Sequence, residues 1–367
     1  MRLKACICTA ALAFLALSCG LREENLRPTI PYAEEIIDGS RARERQLLET
    51  VSEPEPSGNI CIIGTLDACY GYADYLAAYD VRDNVSGAHL TDGLPDFAGE
   101  TIVCIADAEP FTGYVASGDT LELRRQSAMR LICALDTLVH ISPYDLDGFG
   151  GKAPAKLVVV ADPGLCEYGM FDMDTLKAAT GNHIPVVSPL DMMLDGVFGS
   201  RPGRTLSLGI IYDPEIAGED IYRTRFRRAA AANGVPGSQC LMFPASEPDS
   251  LLHRLVESYA AQGIRKPLDA VIVDAPHIAP DSLRMELADI LSVMNESSLT
   301  YGRMLSRDFV MVRGLDTVAE YCYNLLRRHN LFTHDIAYPQ LALYRPAPSP
   351  DSEDGLIILI SDLYVQN

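Results

Sequence analysis

Tryptophan is absent from the 367 residues, and so are the spacings on which several familiar active sites depend. No CxxC pair occurs, which excludes zinc-ribbon and thioredoxin-type sites. The chain also lacks GxxxxGK[ST], HExxH and GxSxG, and no GxGxxG follows its first apolar run, so nucleotide-binding loops, zincins and the nucleophile elbow are excluded. A sugar site, which usually stacks its ligand on broad aromatic faces, is disfavoured as well. We predict no metal and no cofactor.

Basic residues are scarce. Lys and Arg together number 30 against 50 Asp and Glu, which gives a formal net charge of −20. A field of that sign repels phosphate backbones, so nucleic acid is excluded as a partner. The chain is 48% hydrophobic and 22% charged, proportions that are typical of a folded protein with a core.

Long apolar runs are missing except at the start of the chain. Arg2 and Lys4 precede an apolar stretch that ends in "LALSC", which predicts a signal peptide over residues 1–18. The stretch is too short to span a bilayer. "LALSC" resembles the lipobox of bacterial lipoproteins, and the "REEN" that follows is similar to the export tags of Bacteroidetes surface lipoproteins. The resemblance implies lipidation of Cys19 and a location in the cell envelope, with membrane contact through the lipid only. An ordinary signal peptide with an incidental cysteine remains the alternative.

The cysteines beyond residue 19 are odd in number, so they cannot all pair within one chain. They are Cys61, Cys69, Cys104, Cys133, Cys166, Cys240 and Cys322. A bridge between Cys69 and Cys166 requires that their loops meet, and the sequence leaves that open.

Short β-rich runs alternate with helical periodicity along the rest of the chain, as in "NICIIGT", "TIVCIAD", "KLVVVAD", "LSLGIIYD" and "LDAVIVDA". This alternation predicts an α/β protein with two pseudo-duplicated, doubly wound parallel-sheet lobes. "YPQLALYR" and "GLIILISDLYV" predict a C-terminal antiparallel strand pair at a sheet edge. We divide the chain into a tether and helix (19–58), an N-terminal lobe (59–200), a C-terminal lobe (201–345) and a linker with a terminal strand (346–367).

This layout resembles the type I periplasmic binding-protein fold of ABC-transporter solute-binding lipoproteins, and "LGIIYDP…FRRAAAANGV" is similar to the start of their second lobe. The resemblance implies a small polar ligand held between the lobes, hinges near residues 199–204 and 300–315, and a membrane permease as a partner. The loop over residues 81–100 departs from that pattern. It is rich in Asp and Gly, and is interpreted either as consecutive turns or as a lid or cation site.

Ligands in open parallel sheets lie beyond the carboxyl ends of the strands. Polar and aromatic residues at those positions are therefore our candidate ligand-binding residues, although many of them also suit helix N-capping. They are Thr65, Asp67, Tyr70, Asp107, Asp162, Ser188, Tyr212, Asp213, Asp274 and His277.

Two other function classes stay open beside solute binding, which the sequence favours over catalysis. One is an envelope hydrolase or isomerase on the same scaffold, and the other is a lipoprotein for protein–protein contact. Aspartate/glutamate racemases combine two such lobes with a thiolate base from each side. Here Cys69 and Cys166 both fall in the first half, which does not match that arrangement.

Overall fold

Two separate β-sheets form the framework of the molecule. The computed structural model describes residues 27–108, 110–111, 119–144, 148–246, 250–263, 266–278, 280–295, 304–333, 335, 337–350 and 356–361. Within these ranges, one sheet has eight strands, in the order Phe149–Gly150, Leu138–His140, Ile357–Ser361, Gln340–Pro348, Thr101–Asp107, Asn59–Thr65, Ala155–Val160 and Val186–Val187. The other has four, in the order Leu305–Arg313, Leu268–Asp274, Ser207–Tyr212 and Gln239–Pro244. Most neighbouring strands are parallel, so the predicted two-lobed α/β fold is confirmed.

Lobe 1 contains the eight-stranded sheet, and apolar cores cover both of its faces. Fully buried runs such as Ile60–Ile63 explain why its central strands lie between two layers of helices. Its elements before the first crossing to the other lobe are α1 (Pro31–Asp38), α2 (Ala42–Thr50), β1 (Asn59–Thr65), α3 (Leu66–Ala78), β2 (Thr101–Asp107), α4 (Thr120–Leu135), β3 (Leu138–His140), β4 (Phe149–Gly150), β5 (Ala155–Val160), α5 (Pro163–Thr180) and β6 (Val186–Val187).

Lobe 2 contains the four-stranded sheet between two further apolar cores. Its elements are α6 (Pro189–Gly199), β7 (Ser207–Tyr212), α7 (Glu219–Ala232), β8 (Gln239–Pro244), α8 (Leu251–Ala261), β9 (Leu268–Asp274), α9 (Pro280–Asn295) and β10 (Leu305–Arg313). The chain then returns to lobe 1 through α10 (Gly314–His329), β11 (Gln340–Pro348) and β12 (Ile357–Ser361).

The terminal strand pair is antiparallel as predicted, but it lies inside the first sheet rather than at an edge. β11 runs parallel to β2, and β12 runs parallel to β3. Residues 357–360 are all buried, which an edge strand does not achieve. Residues 340–345, which we assigned to the C-terminal lobe, therefore belong to the sheet of lobe 1.

In the described part of the chain, the backbone passes between the lobes at two points. Residue 188 separates β6 from α6, and the buried side chains of α6 belong to a core of lobe 2. β10 ends at residue 313 and α10 begins at residue 314, and the buried side chains of α10 belong to a core of lobe 1. The first crossing therefore precedes α6, whereas the hinge predicted at 199–204 follows it. The second crossing lies within the predicted 300–315.

Two helices end at clear local signals. α1 is separated from α2 because Gly39 takes a left-handed conformation at the end of α1. α4 ends at Leu135, and the "LVH" that follows after two residues forms β3. No helix among the described residues is long and apolar enough to cross a membrane.

Candidate functional site

The carboxyl ends of the central strands coincide in each lobe, as parallel pairing requires. Thr65 at the end of β1 pairs with Asp107 at the end of β2. Tyr212 at the end of β7 pairs with Asp274 at the end of β9. Each sheet therefore presents its polar residues at one edge, and these edges meet at the interface between the lobes.

Asp162 is the acid that lobe 1 contributes to this interface. It follows β5, caps α5 by accepting from Gly164 N at 2.7 Å, and accepts from Phe111 N at 3.0 Å through its other oxygen. The side chain is only 1% exposed. Burial raises the pKa of Asp162 to about 6, although the backbone N–H groups favour the charged form.

Asp274 is the acid that lobe 2 contributes, and it is 5% exposed. Burial raises the pKa of Asp274 to about 7, and the negative charges of Asp213 and Asp162 act in the same direction. The hydroxyls of Tyr222 and Tyr72 interact with the carboxylate and partly oppose that rise. The Tyr222 hydroxyl is buried without a completed hydrogen bond. Two buried acids, one from each lobe, thus have pKa values near neutral pH, and the charge of Asp162 contributes to the raised pKa of Asp274.

Tyr72 joins the lobes at this point. It lies on α3 of lobe 1 and is fully buried, and burial followed by the charge of Asp274 raises its pKa. The neighbouring Gly71 packs on Pro276, where a Cβ would come within 2.9 Å of the proline Cβ. Ile216 of lobe 2 is buried in a core of lobe 1. The two lobes are therefore closed on each other around the acids.

Gly314 lies at the second crossing and touches the same cluster. A Cβ at this position would clash with the Tyr72 hydroxyl and would lie 3.5 Å from Asp274 Oδ1. Only glycine lets the start of α10 approach Tyr72 and Asp274 this closely.

We expect Gly314→Ala to lower the free energy of unfolding by about 1–3 kcal/mol, because the added methyl group has no space in the closed interface. Combining it with Tyr72→Phe, which removes the clashing oxygen, should recover much of that loss. Gly196→Ala is the matched control, since its Cβ would meet nothing within 4 Å. Urea unfolding followed by circular dichroism measures all three, and equal effects of G314A and G196A would contradict the packing described here.

A cavity of about 440 Å³ adjoins the cluster at the seam between α5 and α7. Cys166 lines it and interacts with Ser188, Asp162 and Asp274. Glu167 on α5 forms a bidentate salt bridge with Arg228 on α7, with N–O distances of 2.7 and 2.8 Å. The ion pair of Glu167 therefore joins the two helices that border this cavity.

His277 and Asp213 form a second polar pair at the strand ends of lobe 2. Their Nδ1 and Oδ2 atoms are 2.9 Å apart, and the His277 side chain is 40% exposed. The hydrogen bond to Asp213 raises the pKa of His277. Burial alone would raise the pKa of Asp213, but the hydrogen bonds from His277 and Glu215 N outweigh it and lower the pKa.

Only some of the ten predicted residues lie close together in the structure. It brings together Asp162, Ser188 and Asp274 around Cys166, and Asp213 with His277. Thr65 caps α3, accepting from Ala68 N at 3.3 Å.

The remaining candidates lie apart from that cluster or have other contacts. Asp107 forms a buried ion pair with Arg130 at 3.0 Å. Asp67 is exposed on the first turn of α3, Tyr70 is half-buried, and Tyr212 packs its ring on Tyr222 at 4.9 Å. No result bears on whether any of the ten binds a ligand, so that role stays a prediction.

Sequence reasoning did not place Tyr222, Tyr72 or Cys166 beside an acid. All three side chains are buried, and each interacts with Asp274. The described part of the chain holds no group of three or more His, Cys, Asp or Glu residues suited to a metal ion.

All seven described cysteines are free thiols. None of them has a feature that supports catalysis by a thiolate. Cys166 alone of the seven interacts with both acids of the cluster. Burial raises its pKa to about 11, so the group is a neutral thiol at neutral pH. Cys240, a cysteine of lobe 2, lies in strand β8, and burial raises its pKa too.

No model of a protein family matches the chain, and no curated protein matches it either. Similar solved structures include glutamate racemase isoform RacE1 from Bacillus anthracis, with 11% identity, a TM-score of 0.45 and coverage of 79% of this chain and 89% of that one. The glutamate racemase of Francisella tularensis in complex with D-glutamate has 13% identity and a TM-score of 0.43, covering 79% and 88%. A LacI-family transcription regulator from Clostridium acetobutylicum has 12% identity and a TM-score of 0.27, covering 83% and 100%.

Proposed function

We propose that this protein catalyses proton transfer on a small polar molecule bound between its lobes, and that it is an isomerase. The observation that carries the proposal is the pair Asp162 and Asp274. Each lobe supplies one buried carboxyl, and their pKa values of about 6 and about 7 lie close to neutral pH. Perturbed acids in a cleft are typical of active sites. The sequence pattern by itself favours solute binding, and these two acids shift the preference to catalysis.

The chemistry follows from the protonation states. A general acid–base group works best when its pKa lies near the operating pH. At neutral pH an ionised Asp162 accepts a proton from the substrate, while a protonated Asp274 donates one from the other lobe. Because the two acids come from opposite lobes, removal and return of the proton on different sides of the substrate is the reaction class that suits them. The hydroxyls of Tyr72 and Tyr222 lie beside Asp274 and favour its charged form.

Substrate entry requires that the closed lobes separate, since Asp162 and Asp274 are both buried. Crossings at residue 188 and at 313–314 are the places where the chain can flex. The seam cavity beside Cys166 supplies the adjacent space into which a small molecule first enters.

The test is a two-step screen of the full-length chain in mild detergent. Amino acids, hydroxy acids, nucleosides and small peptides are first screened by thermal shift, where a ligand at a hundred times its dissociation constant adds about 2.7 kcal/mol of stability. Each ligand that binds is then incubated in D₂O, and proton NMR follows loss of a carbon-bound proton. We expect exchange with the wild-type chain and none with Asp274→Asn or Asp162→Asn. Cleavage without exchange would instead show a hydrolase.

Solute binding by lobe closure is the second candidate. Two single-chain crossings beside a buried polar cluster are also what a protein needs to close around a ligand without reacting with it. A ligand that stabilises the wild type and shows neither exchange nor cleavage would support this candidate, with a membrane permease as its partner. A chain that binds nothing in the panel would contradict both candidates and favour a role in protein–protein contact.

Anchoring in the cell envelope through a lipid on Cys19 is a further part of the proposal. Cys19 and the predicted signal peptide lie outside the described residues. In a bacterial host fed a labelled fatty acid, we expect label on the wild type and on the control Cys8→Ser, and none on Cys19→Ser. Label retained by C19S, or wild-type protein in the soluble fraction, would show that the cysteine is incidental.

A further inference from the structure

We infer that lobe 1 holds a second small-molecule site, independent of the acid pair, which takes an aromatic or cyclic apolar ligand bearing N–H donors. The site is a cavity of about 300 Å³ between the loop over residues 80–99 and the carboxyl-terminal half of α10. We call it the loop cavity. Its lining includes Asn84, Leu94, Asp96, Tyr323, Phe332 and Thr333.

The loop is a fixed wall of this cavity. Asp96 accepts from Val81 N and Arg82 N, both at 3.2 Å, and Asp80 accepts from Asp92 N and Gly93 N. Both carboxylates accept hydrogen bonds from the backbone of the loop itself. This favours our interpretation of the loop as consecutive turns over a cation site or a lid.

Gly99 holds the end of the loop against the far wall. Its φ is +81°, and a Cβ there would lie 2.7 Å from Thr333 Oγ1 and would clash with the carbonyl oxygen of Asp335. Arg327 on α10 also donates to Ser86 O at 2.7 Å, so the loop is fixed to the helix beside the cavity.

Two polar atoms of the lining are buried without a partner. Asn84 donates from Nδ2 to Pro95 O at 3.0 Å, which leaves its Oδ1 as an acceptor with no donor. Thr333 Oγ1 is likewise unpartnered. Leaving such an atom unsatisfied costs about 1–3 kcal/mol, so native proteins pair these atoms with water or a ligand. Asn84 and Thr333 both line the same cavity.

The rest of the lining defines what the ligand looks like. The rings of Tyr323 and Phe332 are 5.4 Å apart in an edge-to-face arrangement and, with Leu94, give the cavity an apolar side. The lining also contains two acids, Asp96 and Asp335, and one cation, Arg327, whose guanidinium already donates to two neighbouring oxygens at 2.8 and 2.7 Å. The acceptors without a donor therefore favour a ligand that brings N–H groups over an anion. A ring carrying an amine or another N–H donor satisfies both the apolar side and the free acceptors. The volume suits a ligand at the small end of the range for protein pockets.

The experiment uses full-length protein and three probes, benzylamine, indole and benzoate, with binding followed by ligand-observed NMR. Fragments of this size bind with dissociation constants of roughly millimolar. We expect benzylamine and indole to bind, and benzoate to bind at least about tenfold more weakly, a difference of ~1.4 kcal/mol.

Thr333→Val, which removes the hydroxyl at nearly constant shape, should weaken benzylamine binding by about five- to tenfold. Ala98 also lines the cavity, and Ala98→Leu should abolish benzylamine binding by filling it. Thr180→Val is the matched control, because that hydroxyl bonds only to its own helix at Leu176 O, 2.8 Å away. Asp274→Asn should leave binding unchanged, which separates this site from the acid pair. Failure of the N–H probes to bind, equal binding by T333V and wild type, or a crystal structure with ordered water alone on Asn84 and Thr333 would overturn the inference.

Discussion

Replacing Lys156 by methionine is expected to lower the free energy of unfolding by about 3–5 kcal/mol, because it leaves the buried carboxylate of Glu100 without its counter-charge. Both side chains are completely buried, and their Nζ and Oε2 atoms are 2.6 Å apart. Lys156 also donates to Pro56 O at 3.0 Å and to Leu331 O at 2.8 Å. The Lys156 ammonium therefore links strand β5 to three other segments, which are the residues before β1, the end of α10 and the start of β2.

The effect should be specific to burial of the charge. Lys266→Met is the matched control, because the Lys266 ammonium is exposed where it contacts Thr205, and such surface contacts contribute about 1 kcal/mol or less. Adding Glu100→Gln to K156M should recover part of the loss, since the amide keeps an oxygen for Thr333 N and carries no charge. Urea unfolding followed by circular dichroism suits a chain without tryptophan. If K156M were no less stable than K266M, the buried pair would have no role in fixing lobe 1.

The sequence was sufficient to predict the strand ends. Parallel pairing brings the last residues of neighbouring strands to one edge, so the strand pattern predicts that Thr65, Asp107, Tyr212 and Asp274 lie at such edges. Which of them pair follows from the strand order, which the pattern does not give. The continuous apolar run at 357–360 also carried a signal of central placement that we did not use, since such runs favour strands covered on both faces.

Contacts between the lobes could not be predicted in this way. Tyr72 and Asp274 are about two hundred residues apart, and their meeting depends on how two separately folded units dock. Nothing in the helical periodicity of α3 distinguishes a tyrosine that fills its own core from one that reaches the other lobe. The requirement for glycine at position 314 could not be predicted either. It comes from the nearby Tyr72 hydroxyl and not from the backbone conformation of Gly314 itself.

Asp274→Asn is expected to abolish catalysis and yet to stabilise the protein above neutral pH. The ordinary pKa of an aspartate is 3.8, and in the folded chain burial raises the pKa of Asp274 to about 7. Between these two values the folded state binds more protons than the unfolded state. The free energy of unfolding therefore decreases as pH rises from about 4 to about 7, and the decrease is complete above that.

The isosteric amide removes this pH dependence, because it is neutral throughout. At about 1.4 kcal/mol for each pKa unit, the difference between D274N and wild type should grow by several kcal/mol between pH 4 and pH 8. Asp67→Asn, a change at an exposed carboxylate, is the control and should follow the wild type at every pH. Urea unfolding across that range, beside the deuterium-exchange assay, measures both properties on the same samples. A D274N curve parallel to the wild type would mean that Asp274 is already ionised at low pH and is not the neutral acid that the proposed mechanism requires. A variant that gains stability as it loses exchange would show that the buried acid is kept for its chemistry, at the expense of the fold.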